Sequence, residues 1–117
     1  MNLDISTLEQ GVVCVKLNGR LDVETILKID NEFAFQVSTV KQPVVVDLSN
    51  VEFIASLAMR MLVKSAKALD NRGGKMVLSS PNSQVREALT ISGISTIIPL
   101  ADDLPQACKV ALGGMKS

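Results

Sequence analysis

The sequence predicts an α/β domain, a mixed sheet of about four to five strands carrying about four helices. Three observations lead there. Short β-branched runs alternate along the chain with segments whose apolar residues recur at three- and four-residue steps. The first two strand-like runs follow each other closely, which favours an antiparallel hairpin. Val44-Val45-Val46 is apolar on successive positions, as expected of a strand covered on both faces and paired in parallel.

The elements follow in order. Leu3 and Ile5 alternate with Asp4 and Ser6 as a first short strand, and Val12 to Leu17 forms a second, bounded by an Asn18-Gly19 turn. Asp22 fits an N-cap, and Ile26, Ile29, Phe33 and Val37 mark the inner face of a first helix. Pro43 helps to end the connection before Val44-Val45-Val46, a strand that ends in Asp47 with a short loop after it. A long amphipathic helix begins at Ser56, with Ala58, Met61, Leu62, Ser65 and Leu69 on one face, and stops at Asn71-Arg72-Gly73-Gly74. Lys75 to Ser79 is a fourth strand. Ser80-Pro81 reads as N-cap and first residue of the next helix, whose inner face carries Val85, Ala88, Leu89 and Ser92 and whose end is capped by Gly93 and Ile94. Ile97-Ile98 fits a short edge strand. Asp102 or Asp103 starts a final helix with Leu104, Ala107, Cys108 and Ala111 inward, and Gly113-Gly114 leads into a frayed tail.

Composition narrows the function. The 117 residues are 47% apolar and 21% charged, the profile of one globular domain spanning the chain. Lys plus Arg equals Asp plus Glu at 12 each, so no global field steers nucleic acid or an anionic membrane. There is no His, Trp or Tyr, which removes His-dependent triads and the commonest metal ligand; no metal and no cofactor are expected. Cys14 and Cys108 read as reduced core thiols, no apolar run approaches a membrane span, and the N-terminus lacks a signal-peptide pattern. A cytoplasmic protein without direct membrane insertion is the expectation.

Ser56 is the residue most open to chemistry. Its plain reading is a helix N-cap, although Met59 cannot complete a capping box. A phosphate at the same point would meet unsatisfied N–H groups and the positive end of the helix macrodipole. Asp22 and Asp47 each follow a strand-like run, and each reads individually as a cap or turn residue; lying at the same edge of the sheet with Ser56, they would together make an acidic rim around a phosphate acceptor. No base is available to activate Ser56 as a nucleophile, so no catalytic residue is assigned and an enzyme is not expected. On the long helix, Met59, Val63 and Ala66, flanked by Arg60, Lys64 and Lys67, form either a wide core stripe or a docking surface.

Taken together these segments resemble the STAS domain family, and within it the free-standing bacterial anti-sigma factor antagonists. The resemblance rests on Gly19-Arg20-Leu21-Asp22, on Val45-Val46-Asp47-Leu48-Ser49 with Val51 and Phe53-Ile54, and on Arg60, Leu62 and Ala66-Lys67-Ala68-Leu69. Gly73-Gly74-Lys75 and Leu89-Thr90-Ile91-Ser92-Gly93-Ile94 extend it over nearly the whole chain. It implies a STAS-like fold and a protein-binding module that engages an anti-sigma factor acting as a serine kinase. It also implies phosphorylation at Ser56, reset by a serine phosphatase, with Asp22, Asp47, Ala55, Leu57 and Ala58 shaping the site and Met59, Arg60, Val63 and Lys64 facing the partner. Family members usually carry Asp or Ser before the acceptor, then a small residue and Gly after it. Here Ala55 removes a polar neighbour, Leu57 adds bulk and Ala58 restricts the backbone. The family also includes non-phosphorylated scaffolds and accessory subunits of stressosome-like and lipid or anion transport assemblies, the alternative reading.

Overall fold

A computed structural model of the chain describes residues 3–38 and 43–113. Its strands are β1 (Leu3–Thr7), β2 (Val13–Leu21), β3 (Val44–Ile54), β4 (Met76–Ser79) and β5 (Leu100–Ala101). Its α-helices are α1 (Val23–Ser38), α2 (Ser56–Asn71), α3 (Ser83–Ile91) and α4 (Leu104–Gly113). The strands form one sheet in the order β1-β2-β3-β4-β5. β1 pairs antiparallel with β2 and every other pairing is parallel, so the sheet is mixed.

The alternation of β3 side chains explains its two layers. Val44, Val46 and Leu48 enter the larger core with Ile26, Phe33, Leu62 and Leu89, beneath α1, α2 and α3. Val45 enters a smaller core on the opposite face, with Val12, Val77, Ala107 and Ala111 under α4. Burying a side chain such as Phe33 or Leu62 completely contributes roughly 1.5–3 kcal/mol each, so the three-helix face carries most of the hydrophobic stabilisation. The faces predicted for α1 and α2 are buried residue for residue, from Ile26 to Val37 and from Ala58 to Leu69.

Several boundaries differ from the sequence-based expectation. The segment after Asp47 is not a loop; β3 continues to Ile54, and β2 continues through Asn18-Gly19 to Leu21. The cause is a pair of β-bulges. Lys16 faces Asp47 but Asn18 faces Asn50, and Gly19 faces Val51 but Arg20 faces Phe53, so β3 gains a residue at each shift. Two extra residues convert a period of two into steps of three, and Leu48, Val51 and Ile54 all reach the same core. A strand with that spacing reads as irregular in sequence. α3 begins at Ser83 behind Asn82 rather than at Ser80-Pro81, because Ser80 sits at φ 59 and cannot enter a helix. Ser92 is its exposed C-cap rather than part of its inner face. Ile97-Ile98 follows a 3-10 turn (Ile94–Thr96), and the edge strand is Leu100–Ala101. Gly113 is the last helical residue, while Gly114 and the tail lie outside the described residues.

Candidate functional site at the start of α2

β2 and β3 run on together past the end of β4, and this two-stranded extension delivers the chain to the start of α2. Leu21 faces Ile54 at its tip. The Leu21 carbonyl then accepts the N–H of Ala55 at 2.9 Å, extending the ladder by one residue. Asp22 is the next residue after Leu21, so the starts of α1 and α2 are held side by side.

Ser56 is not the cap that the sequence suggests. Ala55 holds the N-cap position with extended backbone (φ −88, ψ 164), and Ser56 is the first helical residue, exposed. The Ala55 carbonyl accepts the N–H of Met59 at 3.1 Å, the first bond of the helix. Alanine offers no acceptor, and α2 has no side-chain cap bond and no acidic residue in its first turn. The N–H groups of Ser56, Leu57 and Ala58 therefore converge beside an exposed hydroxyl at the positive end of a 16-residue helix.

Asp22 lies beside this point, but its carboxylate is committed. Its Oδ1 accepts the N–H of Thr25 at 2.9 Å and its carbonyl accepts the N–H of Ile26 at 3.0 Å, making it the N-cap of α1. The Thr25 N–H holds the Asp22 carboxyl below the usual carboxylate range, with a smaller contribution from the Arg20 charge. Asp47 is not part of the rim. It is buried where the first bulge forms, and its Oδ1 accepts the N–H of Ser49 at 2.9 Å. That bond satisfies an amide close to the shift in pairing. Burial pushes the Cys14 thiol up and the Asp47 charge adds to the rise, as expected if both residues lie on the α4 side of the sheet, opposite α2. An acidic residue at the end of an apolar run resembles an edge residue in sequence; its pairing with Lys16 on one side and Ser79 on the other shows it to be interior.

The α2 stripe serves two purposes. Met59, Val63 and Ala66 are half-buried against the larger core. Met59 and Val63 also line, with Ser56, Arg60, Lys64 and Lys67, an open groove of about 570 Å³ between α2 and the turn after α3. Ser92, Ile94 and Ile97 form its far wall. Ile97 extends the surface suggested by the sequence; it escapes sequence reasoning because its seat opposite α2 depends on the 3-10 turn. Arg20 stacks over the Phe53 ring at 4.6 Å, and Val23, Leu27 and Phe53 are exposed around the tip of the β2–β3 extension.

Known proteins share this fold. Residues 6–107 match the model of the STAS domain. BtrV of Bordetella bronchiseptica, by name a candidate anti-sigma factor antagonist, is 32% identical over 92 residues, 79% of each chain. The anti-sigma F factor antagonist of Paenibacillus polymyxa is 29% identical over 106 residues, 88% of this chain and 90% of its own. The fold is shared with the anti-sigma factor antagonist SpoIIAA in its unphosphorylated form, at a TM-score of 0.74, 16% identity and coverage of 98% and 99%. SpoIIAA of Bacillus in the phosphorylated form superposes with a TM-score of 0.66 at 18% identity over 92% of this chain and 98% of its own. With its family pattern spanning nearly the whole described chain, this protein belongs to the STAS domain family.

Proposed function

We propose that the chain is an anti-sigma factor antagonist that binds an anti-sigma factor with serine kinase activity and is released by phosphorylation of Ser56. The observation that carries this is the uncapped start of α2, where an exposed hydroxyl stands among free N–H groups at one end of a docking groove. Relatives named as antagonists, and a neighbour of the same fold with a phosphorylated form, support the reading. Among the described residues no helix is long and apolar enough to cross a membrane, consistent with a partner met away from the bilayer.

The chemistry asks little of this chain. The Ser56 Oγ attacks the γ-phosphorus of ATP held by the kinase, the bond to the ADP oxygen breaks, and the hydroxyl proton passes to a base of the kinase. The phosphoserine adds about −1.5 to −2 charges. The N–H groups of the first turn and the macrodipole favour that charge within the free protein. A partner seated over the same turn meets it as a desolvated charge, and the complex dissociates. A serine phosphatase restores the hydroxyl.

The test is incubation with the cognate kinase and ATP, followed by mapping of phosphate by mass spectrometry and measurement of binding. Phosphate should appear at Ser56, Ser56→Ala should remain bound in the presence of ATP, and Ser56→Asp should bind at least about tenfold more weakly. Absence of phosphate at Ser56, with the Ala and Asp variants binding alike, would leave a non-phosphorylated scaffold as the correct reading.

A further inference from the structure

We infer that the groove between α2 and the turn after α3 receives an amphipathic helix with an acidic face, presented by the protein partner. This deepens the partner-binding reading above and rests on it only for the partner's identity.

Charge selects the occupant. The whole chain is neutral, with 12 basic and 12 acidic residues, yet the groove is lined by Arg60, Lys64 and Lys67 and by no carboxylate. All three cations are exposed, and among the described residues none is in an ion pair. Elsewhere basic groups do find partners, as Lys28 with Glu24 and Arg86 with Asp102. The floor and, apart from Ser92, the far wall are apolar, from Met59, Val63, Ile94 and Ile97, the last of them 53% exposed. A ligand that fits must therefore bring an apolar ridge flanked by negative charge.

Shape selects the secondary structure. The α2 residues at the groove, Ser56, Met59, Arg60, Val63, Lys64 and Lys67, follow steps of three and four and occupy one stripe. That stripe runs roughly 16 Å, about three helical turns. Both walls are helix or 3-10 backbone whose polar groups are turned along their own axes, so no free strand edge is available for an added strand. Side-chain packing of one helix against another is the mode such walls allow. The open, elongated form suits a helix face better than a small molecule, which binds by enclosure. Ser56 lies at one end with Arg60 a turn further on, so a phosphate there competes with the ligand's carboxylates for the same guanidinium.

The proposal is tested with a lactam-stapled helical peptide of about 15 residues, Leu on one face and Glu on the flanks, and a twin with Lys in place of Glu. Amide chemical shifts and fluorescence anisotropy are recorded with the full chain. The acidic peptide should shift Met59, Val63, Ile94 and Ile97 and bind at least about tenfold better than its twin, more weakly as salt rises. Lys64→Glu/Lys67→Glu should reverse the preference, and Ile97→Ser should weaken binding of the acidic peptide. Equal binding of the twins, or shifts confined to another surface, would overturn the proposal. Shifts in the groove with dodecyl phosphate but not with the acidic peptide would overturn it in favour of a small amphiphile. Neither readout uses a kinase or ATP. A wild-type protein that binds the acidic peptide in the groove but takes no phosphate at Ser56 would leave the groove intact and remove only the switch.

Discussion

Among the described residues, three α-helices start behind a side chain that accepts a hydrogen bond, and one does not. Asp22 holds the N–H of Thr25 at 2.9 Å, Asn82 that of Val85 at 2.8 Å and Asp103 that of Gln106 at 2.9 Å. The last start is tightened further by Gln106, whose Oε1 accepts the N–H of Asp102 at 3.1 Å. α2, as long as α1 and the carrier of a large share of the core, begins behind Ala55 with nothing. The contrast teaches that the vacancy is local to one position and not a feature of how this sequence starts helices. An uncapped start forgoes about 1 kcal/mol. It leaves three N–H groups able to take an incoming phosphate oxygen.

Asn82 offers the strongest way to stress the comparison. Besides capping α3, its Nδ2 donates to the Val51 carbonyl at 3.1 Å, on the stretch of β3 that extends beyond the last β4 pairing. Asn82→Ala should cost about 2 kcal/mol, from loss of the cap and of a bond to a backbone carbonyl, measured by urea denaturation. A smaller effect of opposite sign is expected at the exception. Ala55→Asp places a carboxylate where the backbone is already extended, and should raise stability by about 1 kcal/mol in the same assay. If Ala55→Asp proves neutral, the start of α2 is not the deficient one, and the contrast with the other three helices fails.

The smallest effect is a pH dependence. The Thr25 N–H lowers the folded-state pKa of Asp22 below its ordinary value near 3.8. A depressed carboxylate contributes stability above the unfolded pKa and loses it as pH falls through the folded one. The stability gap between wild type and Asp22→Ala should therefore be full at neutral pH and shrink below about pH 4. The gap for Asn82→Ala should not narrow in that range through its cap, because an amide does not titrate there. Parallel pH profiles for the two variants would contradict the assignment of Asp22 as a charged cap.

Much of the fold is legible in the sequence because helix faces are short-range patterns. Ala58, Met61, Leu62, Ser65 and Leu69 follow from spacing alone, as do Ile26, Ile29, Phe33 and Val37, and each is buried. The resemblance carried by the segments around Asp22, Ser56 and Gly73 pointed to the family that the whole-chain match bears out. What eluded the sequence is tied to register. Asn18-Gly19 has turn composition, yet its neighbours stay paired with β3 because two bulges keep the ladder in contact. Asp47 has the look of a site residue and is interior because it is paired between Lys16 of β2 and Ser79 of β4.

The sequence by itself determined which residues face inward on α1 and α2, the mixed α/β class, the neutral charge balance and the location of a lone hydroxyl at the start of α2. Each depends on the identity of residues within a few positions of one another. Tertiary structure decided that Ala55 rather than Ser56 holds the cap position, that the Asp22 carboxylate is committed to the start of α1 and that Asp47 is buried in the sheet. It also decided that Lys64 and Lys67 share a groove with Ile97. These outcomes depend on bulges and on packing between segments far apart in the chain, where the geometry is set by the partner element and not by the local sequence.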